Sequence, residues 1–346
     1  MGSNVIVFMD QLKALLVGAG GMGRAWATNL LAYDAVKLVG WVDLRREVVE
    51  QAVAALNLGD LPIYVDIAPA IAELQPDFVV DVTIPEAHYD VTLRALGAGL
   101  PVLGEKPMAD SMHRAREMVA ASERAGKLYM VSQSRRYHAQ LHALRRLVVE
   151  QIGTPGILTS DFFLGPHFGG FREAMAHPLL LDMAIHTFDA ARYLSGSDPV
   201  TVYCEAWNPE WSWYAGAASA TAIFEMTGGL RYIYRGSWCS EGQPTSWEAE
   251  WRIVGPRGTA AWDGHNPPTA EVVTGTEGFF HPMEPCVAQV EADMPSGIAG
   301  SLRDFVHALR TGNTPMGECH DNIKSLAMVF AAIESAETGR RVIIAD

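Results

Sequence analysis

Short apolar runs alternate with segments of helical spacing over residues 12–132. A run such as Phe78–Val82 is apolar and rich in β-branched residues, as expected of a strand buried on both faces. The predicted strands are Leu12–Val17, Lys37–Val42, Ile63–Tyr64, Phe78–Val82, Pro101–Gly104 and Leu128–Ser132, and the predicted helices are Met22–Ala32, Arg46–Leu56, Pro69–Glu73, Ala87–Ala98 and Ser111–Ala125. This alternation predicts a parallel, doubly wound sheet.

The pattern changes after one more helix, predicted over Tyr137–Glu150. From Gly156 on, longer β segments dominate, and turns at residues 227–229 and 255–258 join neighbouring strands as hairpins. The predicted strands are Ile157–Leu164, Thr201–Trp207, Ser219–Met226, Leu230–Trp238, Glu248–Val254 and Thr259–Trp262, followed by helices over Leu302–Arg310 and Asp321–Glu337. These segments predict a large, mostly antiparallel open sheet with helices on one face.

The change of pattern places a domain boundary near Ser132–Arg136. We expect an α/β domain with the doubly wound parallel sheet over residues 9–134, and a second α/β domain with the open sheet over residues 135–346. A chain of 346 residues has the length of two ordinary domains. Residues 1–8 precede the first strand, and we expect them to be either a poorly ordered extension or the product of a start assigned too early.

Composition and charge narrow the classes of function. Apolar residues make up 49% of the chain and charged residues 19%, which is typical of a globular protein with a sizeable core. A net charge of −14 would repel a phosphate polymer, so nucleic acid is not an expected partner. We expect neither a signal peptide nor a membrane span. The four scattered cysteines form no C-x-x-C motif, which favours a reduced, cytoplasmic setting.

A glycine-rich segment, residues 18–23, connects the first strand to the first helix. G-x-G-x-x-G in this context is the pattern of a dinucleotide site. Gly18 permits a tight turn, Gly20 lets the backbone approach a pyrophosphate, and Gly23 lets the helix pack close to the strand. The helix start directs unpaired N–H groups toward the phosphates. Asp43, at the end of the second strand, stands where a carboxylate binds the adenosine ribose hydroxyls.

The residues after Asp43 bear on the choice of cofactor. Arg45 and Arg46 follow it directly. A basic residue at this position accepts the 2′-phosphate of NADP, whereas the Asp43 carboxylate repels it. We therefore expect NAD, and the sequence leaves the use of NADP open.

Two further groups are candidates for chemistry. Lys106, in Glu105-Lys106-Pro107, follows the fifth strand at the edge where such sheets bind ligands, although a surface lysine in a turn is an equal alternative. Asp182 and His186 share a face if their segment is helical. A buried carboxylate raises the proton affinity of an imidazole, as a general base needs. The alternative is a structural histidine, and for the nearby Asp189 a structural role is favoured.

A predicted loop after Asn208-Pro209 carries Trp211, Trp213 and Tyr214. Large aromatic side chains have less core to bury into there, so we expect them to line a substrate site or an interface. The histidines at positions 167, 177 and 186 lack the regular spacing of metal ligands. We therefore expect no metal site.

Four motifs in the same order and spacing resemble one family, the glucose–fructose oxidoreductase / inositol dehydrogenase / MocA family. The motifs are the glycine segment 18–23, Thr83-Ile84-Pro85-Glu86-Ala87-His88, Glu105-Lys106-Pro107 and Asp182-x-x-x-His186-x-x-Asp189. The resemblance implies a Rossmann dinucleotide-binding domain, followed by a substrate-binding domain whose open sheet makes homodimers or homotetramers. It implies reversible hydride transfer between NAD or NADP and a secondary hydroxyl of a sugar, cyclitol or related polyol.

The resemblance also implies roles for single residues. Lys106 matches the catalytic lysine, Asp182 and His186 match the Asp–His pair with His186 as proton acceptor, and the Lys106–Pro107 bond matches one that is often cis. The predicted cofactor contacts are Gly18, Gly20, Gly21, Met22, Gly23, Asp43, Arg45, Thr83, Pro85, His88, Glu105 and Lys106. Arg136 and Tyr137 stand where relatives carry an Arg–aromatic pair near the active site. The residues themselves add three further candidate substrate contacts: Trp213, and His167 and Arg172, which could contact substrate oxygens or an acidic group.

Two other functions stay open at this point. Some relatives cleave a glycosidic bond through transient oxidation by tightly held NAD, which recycles the cofactor. A sensor of a dinucleotide or sugar would keep the fold without catalysis, but the presence of Lys106, Asp182 and His186 disfavours it. The sequence does not name the sugar or cyclitol.

Overall fold

The computed structural model of the protein describes residues 11–344, which form two compact units. The first unit comprises the described residues up to Ser132 together with Ile298–His320. The second comprises Gln133–Gly297 and the described residues from Asp321 onward. The extension predicted over residues 1–8 lies outside the described residues. Within residues 11–344, no helix combines the length and the apolar content that crossing a membrane would require.

The first unit is a parallel sheet with helices between its strands. The strands are β1 (Leu12–Val17), β2 (Val36–Val42), β3 (Ile63–Tyr64), β4 (Phe78–Asp81), β5 (Val102–Glu105) and β6 (Tyr129–Ser132), and the helices are α1 (Gly21–Leu31), α2 (Arg46–Ala55), α3 (Ile67–Leu74), α4 (Pro85–Gly97) and α5 (Met112–Ala125). The strand order is β3-β2-β1-β4-β5-β6, with every pairing parallel. The order reverses between β1 and β4, which is where such sheets bind ligands. The predicted doubly wound sheet is confirmed.

Helix α3 is longer than the sequence pattern predicts. Its predicted range began at Pro69, whereas it begins at Ile67. The carboxylate of Asp66 accepts a hydrogen bond from the Ala68 backbone N–H at 2.7 Å and so caps the helix. Pro69 lies in the first turn, where its missing N–H costs no helical hydrogen bond. The cap therefore sets the start two residues earlier.

The segment after Gly297 returns to the first unit. Helix α8 (Gly297–Thr311) places Phe305 against Phe78 of β4, with ring centroids 5.3 Å apart. Val131 of β6 donates a backbone hydrogen bond to the Gly317 carbonyl at 2.8 Å. A doubly wound sheet needs apolar cover on both faces, and α8 supplies part of it. The division that assigned all of residues 135–346 to one continuous second domain is corrected by this segment.

The second unit is built on a large mixed sheet. Its strands are β7 (Ile157–Phe163), β8 (Pro199–Trp207), β9 (Ser219–Met226), β10 (Arg231–Ser237), β11 (Glu250–Gly255), β12 (Gly258–Trp262), β13 (Thr269–Val273), β14 (Met283–Val287) and β15 (Val342–Ile343). The order is β14-β13-β12-β11-β7-β10-β9-β8-β15. Neighbours pair antiparallel except β7 and β10, which are parallel. The predicted mostly antiparallel open sheet is confirmed.

The sequence pattern did not predict the strands β13, β14 and β15. β14 is an edge strand that contains Pro285 and is largely exposed, so its side chains carry no clear apolar period. β15 has only two residues and pairs with β8 through Val342 and Val202. Short strands at a sheet edge bury too few side chains to show in a hydrophobic pattern.

Helices cover one face of this sheet. They are α6 (Ala139–Leu147), which continues into a π-helical turn at Val148–Ile152, α7 (Ile185–Ser195) and α9 (Cys319–Thr338). Phe188 of α7 meets the rings of Phe224 and Tyr234 edge-on, at centroid distances of 4.9 and 5.2 Å. Side chains that point the other way, such as Ile223 and Trp207, are exposed. The sheet is therefore open on its second face.

Candidate active site

Two glycines of the segment between β1 and α1 are required by packing. Gly18 has a φ of +100°, which residues with a side chain rarely adopt. A Cβ on Gly18 would also overlap the backbone oxygen of Val82, just past β4. A Cβ on Gly23 would overlap the backbone oxygen of Gly18, which also accepts a hydrogen bond from Trp41 Nε1 at 2.8 Å. Helix α1 thus approaches β1 as closely as the two backbones allow.

The other two glycines face open space. Among the described residues, no atom lies within 4 Å of a Cβ built on Gly20 or Gly21. No side chain within residues 11–344 caps the start of α1. Its first N–H groups and the positive end of its dipole are therefore open to an anion. Met22 in the same turn is half-exposed. This end of α1 fits the pyrophosphate of a dinucleotide.

Replacing Gly23 by alanine tests the close approach of α1. The new Cβ meets the backbone oxygen of Gly18, which cannot rotate away, so we expect a loss of about 1–3 kcal/mol in unfolding free energy and weaker NAD binding. Urea unfolding and NAD titration measure the two effects. Gly97→Ala, in open space at the end of α4, is the matched control and should change stability by less than about 1 kcal/mol. Equal effects of both variants would contradict the packing argument.

Asp43 is tied to the glycine segment. Its Oδ2 accepts a hydrogen bond from the Ala19 backbone N–H at 2.8 Å, and its Oδ1 accepts one from the Arg45 backbone N–H at 3.0 Å. The Arg45 side chain is 68% exposed, with its Nε 3.9 Å from Asp43 Oδ1. Because both carboxylate oxygens are held by the backbone, the carboxylate has a fixed place after β2, where such sheets bind the ribose hydroxyls.

The predicted cofactor contacts after β4 differ in exposure. Thr83 and Pro85 are partly exposed, whereas His88 is buried, with its Nδ1 3.1 Å from Asp81 Oδ2. Burial by itself would lower the pKa of His88, but the Asp81 carboxylate more than offsets this and the pKa is raised. The Thr83 hydroxyl donates to Asp81 Oδ1 at 2.6 Å. His88 therefore holds Asp81 inside the unit, and its burial disfavours the predicted contact with the cofactor.

Lys106 directly follows β5, and its peptide bond to Pro107 is cis, as the resemblance implies. The preceding Glu105 is buried. Its carboxylate oxygens accept hydrogen bonds from Trp26 Nε1 at 2.7 Å and from the Lys106 backbone N–H at 3.0 Å. Burial raises the pKa of Glu105, although both donors oppose the shift. Glu105 thus connects α1 to the backbone of Lys106, and its burial disfavours the predicted contact with the cofactor.

Asp182 and His186 lie on consecutive helical turns of the second unit. A π-helical turn at Leu179–Ala184 carries Asp182, and the first turn of α7 carries His186. Both side chains are partly exposed, whereas the neighbouring Leu180 and Ile185 are buried. The helical segment on which the prediction of a shared face depends is therefore present.

Asp182 forms an ion pair with Arg172, a contact that the sequence did not suggest. Arg172 Nε donates to Asp182 Oδ2 at 2.6 Å, with the two side chains 33% and 16% exposed. The guanidinium lies 5.1 Å from the ring centroid of Phe168 and 4.8 Å from that of Phe171. A predicted substrate residue is thus bonded directly to a predicted catalytic residue.

Arg136 lies in a buried cluster of ion pairs. It is buried, with Nε and Nη2 each donating to the Asp189 carboxylate at 2.7 Å and Nη1 2.6 Å from Asp321 Oδ2. Ser325 Oγ donates to the same Asp189 carboxylate at 2.7 Å. The structural role favoured for Asp189 is therefore supported, and the predicted substrate contact of Arg136 is disfavoured because all three guanidinium nitrogens have carboxylate partners. Tyr137 is buried as well, which disfavours its predicted contact with substrate.

The aromatic side chains predicted to lie in the loop after Asn208-Pro209 differ in burial and in contacts. The ring of His167 stacks on Trp213 at a centroid distance of 3.8 Å. Trp213 Nε1 and the Tyr214 hydroxyl both donate to the Pro166 carbonyl, at 3.3 and 2.8 Å. Tyr214 is buried, which raises its pKa to about 12, and it belongs to the core. Trp211 is 75% exposed. Trp213 and His167 thus remain candidates for substrate contact.

Comparison with known proteins agrees with these features. Residues 12–133 match the model of an oxidoreductase family with an NAD-binding Rossmann fold, and residues 112–261 match the GFO/IDH/MocA C-terminal domain. The chain belongs to the Gfo/Idh/MocA family. The predictions of this family, of an NAD-binding Rossmann domain and of an oxidoreductase of the sugar and polyol dehydrogenase type are confirmed at this level.

Two relatives and one solved structure match this Gfo/Idh/MocA chain over nearly its whole length. A D-apiose dehydrogenase from Paraburkholderia graminis is 28% identical, covering 96% of this chain and 90% of its own. An inositol 2-dehydrogenase from Rhizobium meliloti is 25% identical, with coverages of 95% and 98%. An oxidoreductase from Agrobacterium radiobacter, crystallised with NAD+, L-tartaric acid and magnesium, has the same fold, with a TM-score of 0.85, 23% identity and coverages of 96% and 98%.

Within residues 11–344 of this Gfo/Idh/MocA chain, one group of side chains has the geometry of metal ligands. Glu318, Cys319 and His320 place their ligand atoms within 4.8 Å of one another. Cys319 is buried, and its thiol donates to Glu318 Oε1 at 3.0 Å. His167 and His177 each lie beside a glutamate. No metal assignment follows from these residues.

Sequence reasoning missed the contacts that connect Glu105 and Asp182 of this family member to distant side chains. Trp26 and Glu105 are 79 positions apart, and Arg172 and Asp182 are separated by an irregular segment. No periodicity connects either pair. The only signal for the first was an indole N–H donor in the helix behind the glycine segment, which needs a buried acceptor.

Proposed function

We propose that this protein is an NAD-dependent dehydrogenase that reversibly oxidises a secondary hydroxyl of a sugar, cyclitol or related polyol. The observation that carries the proposal is the Asp182–His186 pair on consecutive helical turns, in a chain of an NAD-binding oxidoreductase family. The names of the D-apiose and inositol 2-dehydrogenases support the same class of substrate. Lys106, at the end of β5, supplies the cation that such a reaction uses.

The first unit would hold the cofactor. The backbone N–H groups at the start of α1, beside Gly20 and Gly21, would bind the pyrophosphate, since no side chain of the described residues occupies that end of the helix. Asp43 would accept hydrogen bonds from the adenosine ribose. Thr83 and Pro85 would lie along the remainder of the dinucleotide.

Each residue has a defined task in the oxidation. Bound NAD supplies a nicotinamide ring that accepts a hydride. His186 would take the hydroxyl proton as the same carbon gives up its hydride, so that the alcohol becomes a ketone. Asp182, on the preceding helical turn, would orient the imidazole. Lys106 donates to the substrate oxygen or the nicotinamide ribose and stabilises the negative charge that develops on the oxygen.

Asp43→Asn tests the preference for NAD. The amide keeps the size of the carboxylate and removes the charge that repels a 2′-phosphate, while exposed Arg45 remains beside it. We expect the ratio of kcat/KM for NADP to that for NAD to rise on the order of tenfold. Asp60→Asn, an exposed change in the same unit, is the control and should leave the ratio unchanged. An unchanged ratio in both variants would place cofactor selection elsewhere.

A panel of sugars, cyclitols and sugar acids tests the activity. We expect stoichiometric NADH formation with at least one sugar or cyclitol. Glycoside cleavage without net NADH would instead support the cofactor-recycling reaction. Tight NAD binding by calorimetry, with no activity across the panel, would support a sensor.

We also propose a homodimer or homotetramer that forms through the open face of the second sheet. That face exposes Ile223 and Trp207 beside the ion pair of Arg235 with Asp161. Apolar side chains rimmed by ion pairs are typical of protein–protein contacts. Sedimentation of the wild type and of Ile223→Glu tests this, since a buried charge should dissociate the assembly. The cytoplasmic setting expected from the cysteine pattern stays a prediction.

A further inference from the structure

Arg172 binds Asp182 through one nitrogen only. Its Nε donates to Asp182 Oδ2, and within the described part of the chain neither terminal nitrogen of Arg172 has a hydrogen-bond partner. The side chain is one-third exposed. A guanidinium presents its remaining donors as a planar fork. Arg172 can therefore hold Asp182 and a ligand at the same time.

The local backbone holds this fork in place. Gly169 and Gly170 have φ values of +66° and +67°, so the chain turns sharply between Phe168 and Phe171. Both of these rings lie against the Arg172 guanidinium. Two ring contacts and one charged hydrogen bond restrict the rotation of a side chain that would otherwise be flexible.

Two exposed aromatic rings lie against Arg172, and a third lies beside one of them. Phe168 is 44%, Phe171 65% and Trp247 46% exposed, and the rings of Phe168 and Trp247 have centroids 6.4 Å apart. Such faces pack well on the C–H faces of a sugar ring. An arginine fork beside an aromatic wall suits a ring that carries hydroxyls on its edge.

The charges around Arg172 disfavour an anionic ligand. Asp182 already pairs with Arg172 itself, and Glu173 accepts a hydrogen bond from the Gly169 backbone. Arg135, which lies 3.6 Å from the sulfur of Met183, is paired with Glu248. Each guanidinium in this region is thus neutralised by a carboxylate, and Glu173 adds a further negative charge. A substrate carboxylate would be repelled here, whereas a neutral hydroxyl would not.

We propose that Arg172 is a specificity-determining residue that orients Asp182 through Nε and donates from its terminal nitrogens to neighbouring hydroxyls of an uncharged polyol. This inference rests on the proposed dehydrogenase function. It goes further by naming the residue that selects the substrate and by specifying that the substrate carries no carboxylate.

The test compares wild type, Arg172→Met, Arg172→Lys and the control Arg116→Met, an exposed change on α5. NADH formation is measured with D-glucose, D-galactose and myo-inositol, and with D-glucuronate and D-galacturonate as the charged counterparts. We expect wild type to favour the neutral compounds by at least about tenfold in kcat/KM. Arg172→Met should lose about 10- to 100-fold in kcat/KM on the best neutral substrate.

Arg172→Lys separates the two roles. A lysine keeps the cation beside Asp182 but lacks the planar fork. Compared with Arg172→Met, Arg172→Lys should therefore have a kcat closer to that of wild type, because Asp182 is still oriented. Its KM should stay raised, because the donors to the substrate hydroxyls are lost. A merely structural arginine would not produce this split. Thermal unfolding and NAD titration of each variant identify any that fails to fold, and Arg172→Lys then carries the test alone.

Three other results are distinguishable. Preference for the uronates would overturn the inference and leave the dehydrogenase function standing. Wild-type kcat and KM in both Arg172 variants would also overturn the inference and leave the dehydrogenase function standing. No NADH from wild type with any compound, while NAD still binds, would overturn the proposed function itself.

Discussion

His186→Ala is expected to lower kcat by about 100-fold or more while NAD affinity stays at the wild-type value. The expected loss in kcat equals the usual contribution of a positioned general base to the rate. NAD binding should survive because the glycine segment and Asp43 belong to the first unit, whereas His186 belongs to the second. Steady-state kinetics on the substrate found in the screen and NAD titration by fluorescence measure the two quantities.

His177→Ala is the matched control for this variant. His177 lies in the same stretch of the second unit and pairs with Glu337, outside the proposed proton transfer. Its removal should leave kcat within a few-fold of wild type. Comparable losses in both variants would show that the His186 effect reports damage to the fold.

Lys106→Ala should show the same separation of turnover from NAD binding. The ammonium group stabilises the charge that develops on the substrate oxygen, so its loss should also lower kcat by about 100-fold or more. Lys127→Ala, an exposed lysine of the same unit, is the control. If Lys106→Ala retained wild-type rates, Lys106 would be the surface lysine that the sequence left as an alternative.

Arg136→Met is expected to cause the largest loss of stability among the variants considered. Methionine leaves Asp189 buried without its bidentate partner and removes one cation from Asp321. Breaking a buried pair in this way costs about 3–5 kcal/mol. Urea unfolding followed by circular dichroism measures the loss.

Arg146→Met provides the comparison for Arg136. Arg146 pairs with Glu291 on the surface, with both side chains largely exposed, so its removal should cost about 1 kcal/mol or less. Equal losses would show that the Arg136 cluster contributes no more than a surface pair. A variant with normal stability and no activity would restore Arg136 to the substrate contacts.

Local pattern predicted the parallel sheet closely because its strands are buried on both faces. Phe78–Asp81, for example, is buried throughout and apolar except for its last residue. The second sheet was predicted in outline, but its edge strands were missed, since Met283–Val287 is exposed and interrupted by Pro285. A periodic pattern of apolar residues arises where side chains are buried, and edge strands bury few side chains.

The candidate site divides along similar lines. Gly18, Gly23 and Asp43 could be found from the sequence because each meets a backbone requirement at a set distance from a strand. Arg136 could not be assigned in this way. An arginine next to a domain boundary looks the same in a sequence whether it binds a substrate or a buried carboxylate.

The sequence by itself determined the family, the order of the elements and the residues that carry the proposed chemistry, because these depend on local spacing. Only the tertiary structure decided which charged groups are neutralised inside the protein and which can meet a ligand. Arg136 is paired with the buried Asp189, and Glu105 accepts a hydrogen bond from Trp26. Arg172, by contrast, uses only its Nε to bind Asp182. The physical reason is that ion pairs and hydrogen bonds join residues that are distant in the chain, and no local pattern records those partners.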